Sequence, residues 1–224
     1  MKRPNEPSES RAGEEGLIPR HGGYRNLKTF QLAEMIYDVT VRFCERFIDP
    51  RSRTHDQMVQ AARSGRQNIA EGSMDSATSK KIELKLTGVA RGSLEELRLD
   101  YEDYLRQRGL PKWEPGHPVL VRFRARRCAN LDQFRAWVAE EVVRGKEDTD
   151  EHRRPRTDSK VRSGVGVGPC PSVFVANGVL SLLNLCIHLL KRQMEAQAAA
   201  FEKEGGFTER LYRRRTQARR DRRD

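Results

Sequence analysis

Cysteine is scarce in this chain and poorly spaced for chemistry. Cys44, Cys128, Cys170 and Cys186 lie far apart, with no CxxC pair among them. A zinc site needs ligands converging from short spacings. The five histidines, His21, His55, His117, His152 and His188, are scattered as well, so neither a metal nor another cofactor is expected. Thiols spaced in this way read as reduced and intracellular, which points to the cytoplasm. Apolar residues are also few. With 36% hydrophobic and 33% charged among 224 residues, a modest core with long solvated parts is expected. Residues 1–23 begin without the apolar run of a secretory signal and read as a disordered arm.

Reaction motifs are missing too. Gly164, Gly166 and Gly168 suggest a nucleotide loop, but no Gly-Lys-Ser/Thr follows and no strand-to-helix turn surrounds them. Dinuclear sites in helical bundles use Glu-x-x-His pairs on facing helices. Here Glu114–His117 is such a spacing, but it sits in a Pro-Gly turn. No Ser, Cys or Lys stands in an activated-nucleophile motif. A nonenzymatic protein is therefore expected.

What the chain has in abundance is positive charge. Its 43 Lys and Arg against 32 Asp and Glu leave a net charge of +11, which favours a polyanionic partner. Between Gly205 and Asp224 eight arginines face three acids. This tail, residues 205–224, either grips phosphates or serves as a solvated, partly helical extension.

Helical periodicity organises the rest. Phe30, Ala33, Tyr37, Val41, Cys44 and Phe47 mark a first amphipathic helix ending near Asp49-Pro50. A second begins around Arg53 and shows a thin contact face of Met58, Ala62, Gly65 and Ile69, which invites a close neighbour. Gly72 is its expected C-terminal glycine. A third runs from about Ala77 to Arg108, carrying Ile82, Leu86, Val89, Ala90, Leu94, Leu97, Tyr101 and Leu105 until Gly109-Leu110-Pro111 stops it. Gly88 and Gly92 interrupt this helix at about 1 kcal/mol each relative to alanine; a close helix crossing would account for them.

Residues 24–111 therefore hold three helices, and residues 112–144 read as a helical insertion. Val119–Arg127 alternates like a strand, yet no sheet partner is evident, so a short basic helix is expected, followed by another from Leu131 to about Val143. Residues 145–171, charged and then rich in glycine and proline, read as a flexible linker. Residues 172–204 form a long helix. Its Ser172–Leu190 stretch approaches the roughly 20 uncharged residues of a membrane span. Asn177, Ser181, Asn184 and His188 nevertheless make one polar stripe, which favours a buried bundle helix with no membrane role and a hydrogen-bonded His188; a membrane helix is the competing reading.

Two blocks carry a family resemblance: Asn68-Ile69-Ala70-Glu71-Gly72 at the end of the second helix and Gly92-Ser93-Leu94-Glu95-Glu96-Leu97 in the third. On these the chain resembles the four-helix bundle family of proteins encoded by intervening sequences in bacterial 23S ribosomal RNA genes. Gly205-Gly206-Phe207-Thr208-Glu209-Arg210-Leu211 is similar to the C-terminal suffix domain of a longer branch. The resemblance implies an all-α, antiparallel up-and-down four-helix bundle with additional short helices and a basic C-terminal helical tail. It also implies no established enzymatic activity. A related accessory protein of diversity-generating retroelements forms a pentameric ring, binds nucleic acid and associates with a reverse transcriptase, so a homo-oligomer with such a partner is implied here.

Within the motif, Asn68 and Glu71 are expected to satisfy polar groups where the second and third helices meet, with Gly72 making the turn and Gly92, Ser93 and Glu96 on the facing helix. Function is expected elsewhere, in nucleic-acid contacts by Arg122, Arg124, Arg126 and Arg127 in the middle and Arg213, Arg214, Arg215, Arg219 and Arg220 in the tail. Such contacts hold RNA or DNA by its backbone without reading bases. The alternative is a protein-interaction scaffold in which the basic tail is incidental.

Overall fold

Local signals start and stop each helix. The computed structural model describes residues 23–151 and 170–222, and among them every element is helical. After a 3-10 turn at Tyr24–Asn26 come α1 (Lys28–Phe47), α2 (Arg53–Asp75), α3 (Lys80–Gln107), α4 (Pro118–Arg126), α5 (Leu131–Glu151), α6 (Pro171–Glu204) and α7 (Phe207–Arg220). Ser52 Oγ accepts from the Thr54 N–H at the start of α2, and Ser79 Oγ accepts from the Ile82 N–H at the start of α3. Both occupy N-cap positions, where a hydroxyl serves an N–H that the helix cannot satisfy. Asn130 does the same for the Gln133 N–H of α5. Pro118 and Pro171 stand in the first turns of α4 and α6, where the missing N–H costs nothing.

The strand-like Val119–Arg127 run is helical: α4 takes it up to Arg126, and Arg127 closes it in the left-handed region at φ 50°. Helix α5 continues past the expected end at Val143 to Glu151, so the connection begins later than residue 145. The N-terminal arm and most of the 145–171 linker lie outside the described residues.

Packing decides which apolar positions count. α2 lies against α1 and α3, while α6 packs on α1, α3, α4 and α5. On α1 the buried face is Leu32, Ala33, Met35, Ile36, Val39, Phe43 and Cys44, whereas Tyr37, Val41 and Phe47 lie at its margin. Phe43 meets Tyr101 and Tyr104 with ring centroids 4.9 and 4.8 Å apart, and Tyr101 donates its hydroxyl to Thr40 Oγ1 at 3.1 Å. On α3, Ala90, Leu94, Leu97, Tyr101 and Leu105 are buried, but Ile82 and Val89 of the expected stripe face solvent. The buried face of α6 is likewise largely apolar, although α6 is also long and apolar enough to cross a membrane by length and composition.

The thin face of α2 does admit a close neighbour. A Cβ on Gly65 would stand 2.5 Å from Leu94 Cδ2. Gly72, expected to end α2, instead lies inside it and is buried, where a Cβ would meet the Glu83 carbonyl oxygen at 3.3 Å and Leu86 Cβ at 3.4 Å. Its role is close approach, and the helix runs a further turn. Gly92 is the reverse case: exposed, with nothing within 4 Å of an added Cβ, so no helix crossing explains it.

The polar stripe of α6 divides. Asn177 is buried and accepts from the Trp113 N–H at 2.8 Å while donating to the Pro111 and Val173 carbonyls. It thereby ties the α3–α4 connection to α6. Asn184 and His188 lie in solvent, which corrects the expectation of a hydrogen-bonded His188. Asn177→Ala strands the Trp113 N–H and the Pro111 carbonyl, while the Val173 carbonyl keeps its bond within α6, at about 2 kcal/mol; urea unfolding with an unchanged slope and a lower midpoint is the expected result.

Candidate nucleic-acid interface

The polar run around Asn68 on α2 is built as structure. Asn68 Nδ2 donates to the Ser64 carbonyl at 2.8 Å and to Ser64 Oγ at 3.1 Å, and that hydroxyl lies 3.0 Å from Ser93 Oγ of α3. Asn68 therefore acts across the α2–α3 seam through Ser64 and Ser93. Glu71, Gly92 and Glu96 are exposed. Exposed as it is, Glu71 does not lock the seam, which corrects its expected role. Arg66 stacks its guanidinium over the Tyr37 ring, 4.5 Å from the centroid.

The two arginine groups sit on different helices and in different electrostatic settings. In α4, the Arg122 guanidinium meets the buried Glu141 carboxylate, with Nε donating to Oε1 at 2.7 Å. Arg126 pairs with Glu140, a hydrogen bond that raises its pKa. Arg124 Nη2 donates to the Pro115 carbonyl at 2.6 Å, and Arg127 is exposed at the helix end. The carboxylates of α5 thus meet two of these four cations. They also hold α4 on α5, beside an aromatic cluster in which Phe123 and Trp137 lie 4.4 Å apart by ring centroid. Glu141 went unnoticed in the sequence because nothing in a helical pattern marks one glutamate among several as buried.

Helix α7 is placed differently. Gly205 ends α6 in the left-handed region at φ 72°, and the Glu209 carboxylate accepts from the Gly206 N–H to start α7. Arg210 Nη2 donates to the Ala77 carbonyl at 3.2 Å, in the connection between α2 and α3. Arg213, Arg214, Arg215, Arg219 and Arg220 are all exposed. Among the described residues of this segment the acids are Glu209 and, after the helix, Asp221. An exposed helix with this balance carries a strongly positive potential.

Two of the four cysteines, Cys44 and Cys186, are buried. Burial pushes the Cys44 thiol up to about 12, with the charges of Asp100 and Glu45 adding to it, and burial alone takes Cys186 to about 12. Both stay protonated at neutral pH and are poor nucleophiles. Burial first, then Asp103 and Glu96, raises the Asp100 carboxyl. Among the described residues no three His, Cys, Asp or Glu side chains gather as a metal site. No known protein family, curated protein or solved structure matches this chain.

Proposed function

We propose that the protein is a nonenzymatic nucleic-acid-binding factor of the cytoplasm, with α7 as its principal contact with RNA or DNA. The observation that carries this reading is the exposed run of arginines on α7 beyond the Arg210 anchor. The scaffold is an antiparallel up-and-down four-helix bundle of α1, α2, α3 and α6. In its support, Cys44 meets Met58 near the α1–α2 connection, Gly72 meets Glu83 near the α2–α3 connection, and Thr29 near the start of α1 bonds Gln193 in the C-terminal half of α6. This scaffold is also what the resemblance to the 23S rRNA intervening-sequence proteins implies. A homo-oligomer, a pentamer by that resemblance, in a nucleoprotein complex with a reverse transcriptase is the corresponding assembly. Light scattering of the full chain tests it, and a monomer at high concentration removes it.

Fluorescence anisotropy of the full chain with labelled RNA and DNA at rising salt tests the central claim. Saturable binding whose logarithm falls linearly with log salt is expected, because cations on the protein release counterions from the phosphates. Absence of saturable binding at low salt to either polymer overturns it. Glu140→Gln offers a graded check. Glu140 is 57% exposed, so stability should change by less than about 1 kcal/mol. Freeing Arg126 should steepen the salt dependence by up to about 0.7 for a single strand.

A protein-interaction scaffold is the second reading. A groove of about 820 Å³ between α1 and α5, walled by Phe47, Leu131, Val138 and Val142 and floored by Val175, is the observation that favours it.

A further inference from the structure

We infer that α7 selects single-stranded polynucleotide over duplex, with Tyr212 as the residue that stacks on an unpaired base; this rests on the nucleic-acid reading above. Tyr212 is 72% exposed, the most exposed of the large apolar or aromatic side chains among the described residues. It stands within the arginine run rather than beside it.

Helical spacing fixes what surrounds the ring. Thr208, Tyr212, Arg215 and Arg219 follow intervals of four, three and four, so they form one longitudinal stripe. Arg210, which binds the Ala77 carbonyl, lies two residues before Tyr212 and so on the opposite side of the helix. The anchor therefore turns the Tyr212 stripe to solvent. Thr208, Leu211, Tyr212, Arg215, Thr216 and Arg219 together line a shallow groove of about 280 Å³ on that surface. Arg215 and Arg219 are one turn apart, about 6 Å along the axis, and address successive phosphates, while the ring between Thr208 and Arg215 offers a flat face.

Stacking of bases on aromatic side chains next to a cationic track is how single strands are held without sequence readout. A duplex keeps its base faces stacked internally and presents only phosphates and groove edges to a helix of this kind. Arginines alone would hold both polymers. The ring contributes only where a base face is free.

The test uses the full chain with labelled oligothymidine of about 16 nucleotides and a hairpin duplex of the same charge at one salt concentration. Tyr212→Ala should weaken single-strand binding about tenfold or more and change duplex binding less than about twofold. Tyr212→Phe should retain the single-strand affinity. Because tyrosine is neutral, Tyr212→Ala should leave the salt slope unchanged, whereas Arg215→Gln with Arg219→Gln should lower it by about 1.4 for the single strand. Because Tyr212 is exposed, Tyr212→Ala should keep the fold, which circular dichroism reports directly.

Equal affinity of wild type and Tyr212→Ala for the single strand overturns the inference while the phosphate-binding reading stands. So does an equal loss on the single strand and the duplex. Failure of the wild type to bind either polymer removes both.

Discussion

Replacing Arg213, Arg215, Arg219 and Arg220 together with glutamine is expected to weaken binding to a single strand by about two orders of magnitude at 0.15 M salt. Each phosphate contact contributes about 0.7 to the slope of log affinity against log salt. At that concentration this amounts to roughly fourfold in affinity per contact. Four contacts give a few hundredfold and a slope shallower by about 3. All four side chains are exposed, so the variant should unfold at the same urea concentration as the parent. Replacing Arg122, Arg124, Arg126 and Arg127 in the same way should cost less affinity and more stability. Arg122 and Arg126 already meet Glu141 and Glu140, and breaking the Arg122 pair leaves the buried Glu141 carboxylate with Arg144 as its remaining ion-pair partner. Anisotropy titrations at several salt concentrations, paired with urea unfolding, separate the two groups. If the α7 variant keeps the parental slope, the tail is not the phosphate contact.

Trp137→Ala should produce the largest loss of stability, about 3 to 5 kcal/mol, against a total of about 5 to 15 kcal/mol for a typical domain. The ring is 2% exposed and packs on Phe123 and Phe134. Gly178 of α6 allows it to fit there: a Cβ at that position would stand 2.8 Å from Trp137 Cζ3 and 3.0 Å from Phe134 Cζ. Gly178→Ala should therefore cost about 1 to 3 kcal/mol from overpacking, in spite of the helix propensity gained. In the Trp137→Ala background the closest clash is gone and Phe134 can shift into the space left by the indole, so the two effects should couple by more than about 1 kcal/mol. Trp137→Phe should be milder than either, because Trp137 Nε1 is buried without an acceptor and phenylalanine removes that unmet donor. Urea denaturation of the four proteins closes the cycle; additive losses would mean that α5 does not sit on α6 through this contact.

The helices were legible in the sequence because helix formation is local. Apolar spacings of three and four and the Gly109–Pro111 stop each act within a turn or two of chain. The arginine-rich character of α7 was legible for the same reason, since charge density along a segment is a property of composition. Val119–Arg127 was the instructive ambiguous case. Its alternation suited a strand, and the want of a partner strand correctly argued for a helix.

The tertiary structure decided everything that depends on a distant neighbour. Gly72, expected as a turn, became a contact for α3, because the carbonyl of Glu83 and the side chain of Leu86 lie against it. Asn177 belonged to a polar stripe in the sequence, but only the fold could show that it reaches Pro111 and Trp113 while His188, three turns on, lies in solvent. Ile82 and Val89 fit the apolar period of α3 yet remain exposed, since periodicity ranks the positions on a helix and the neighbouring helices choose which of them are covered. The same holds for charge. By itself the sequence determined how many arginines each segment carries; the fold determined that α5 neutralises two of those on α4 and that Arg210 turns the Tyr212 side of α7 outward, because an ion pair or an anchor exists only when a second element arrives within a few ångströms.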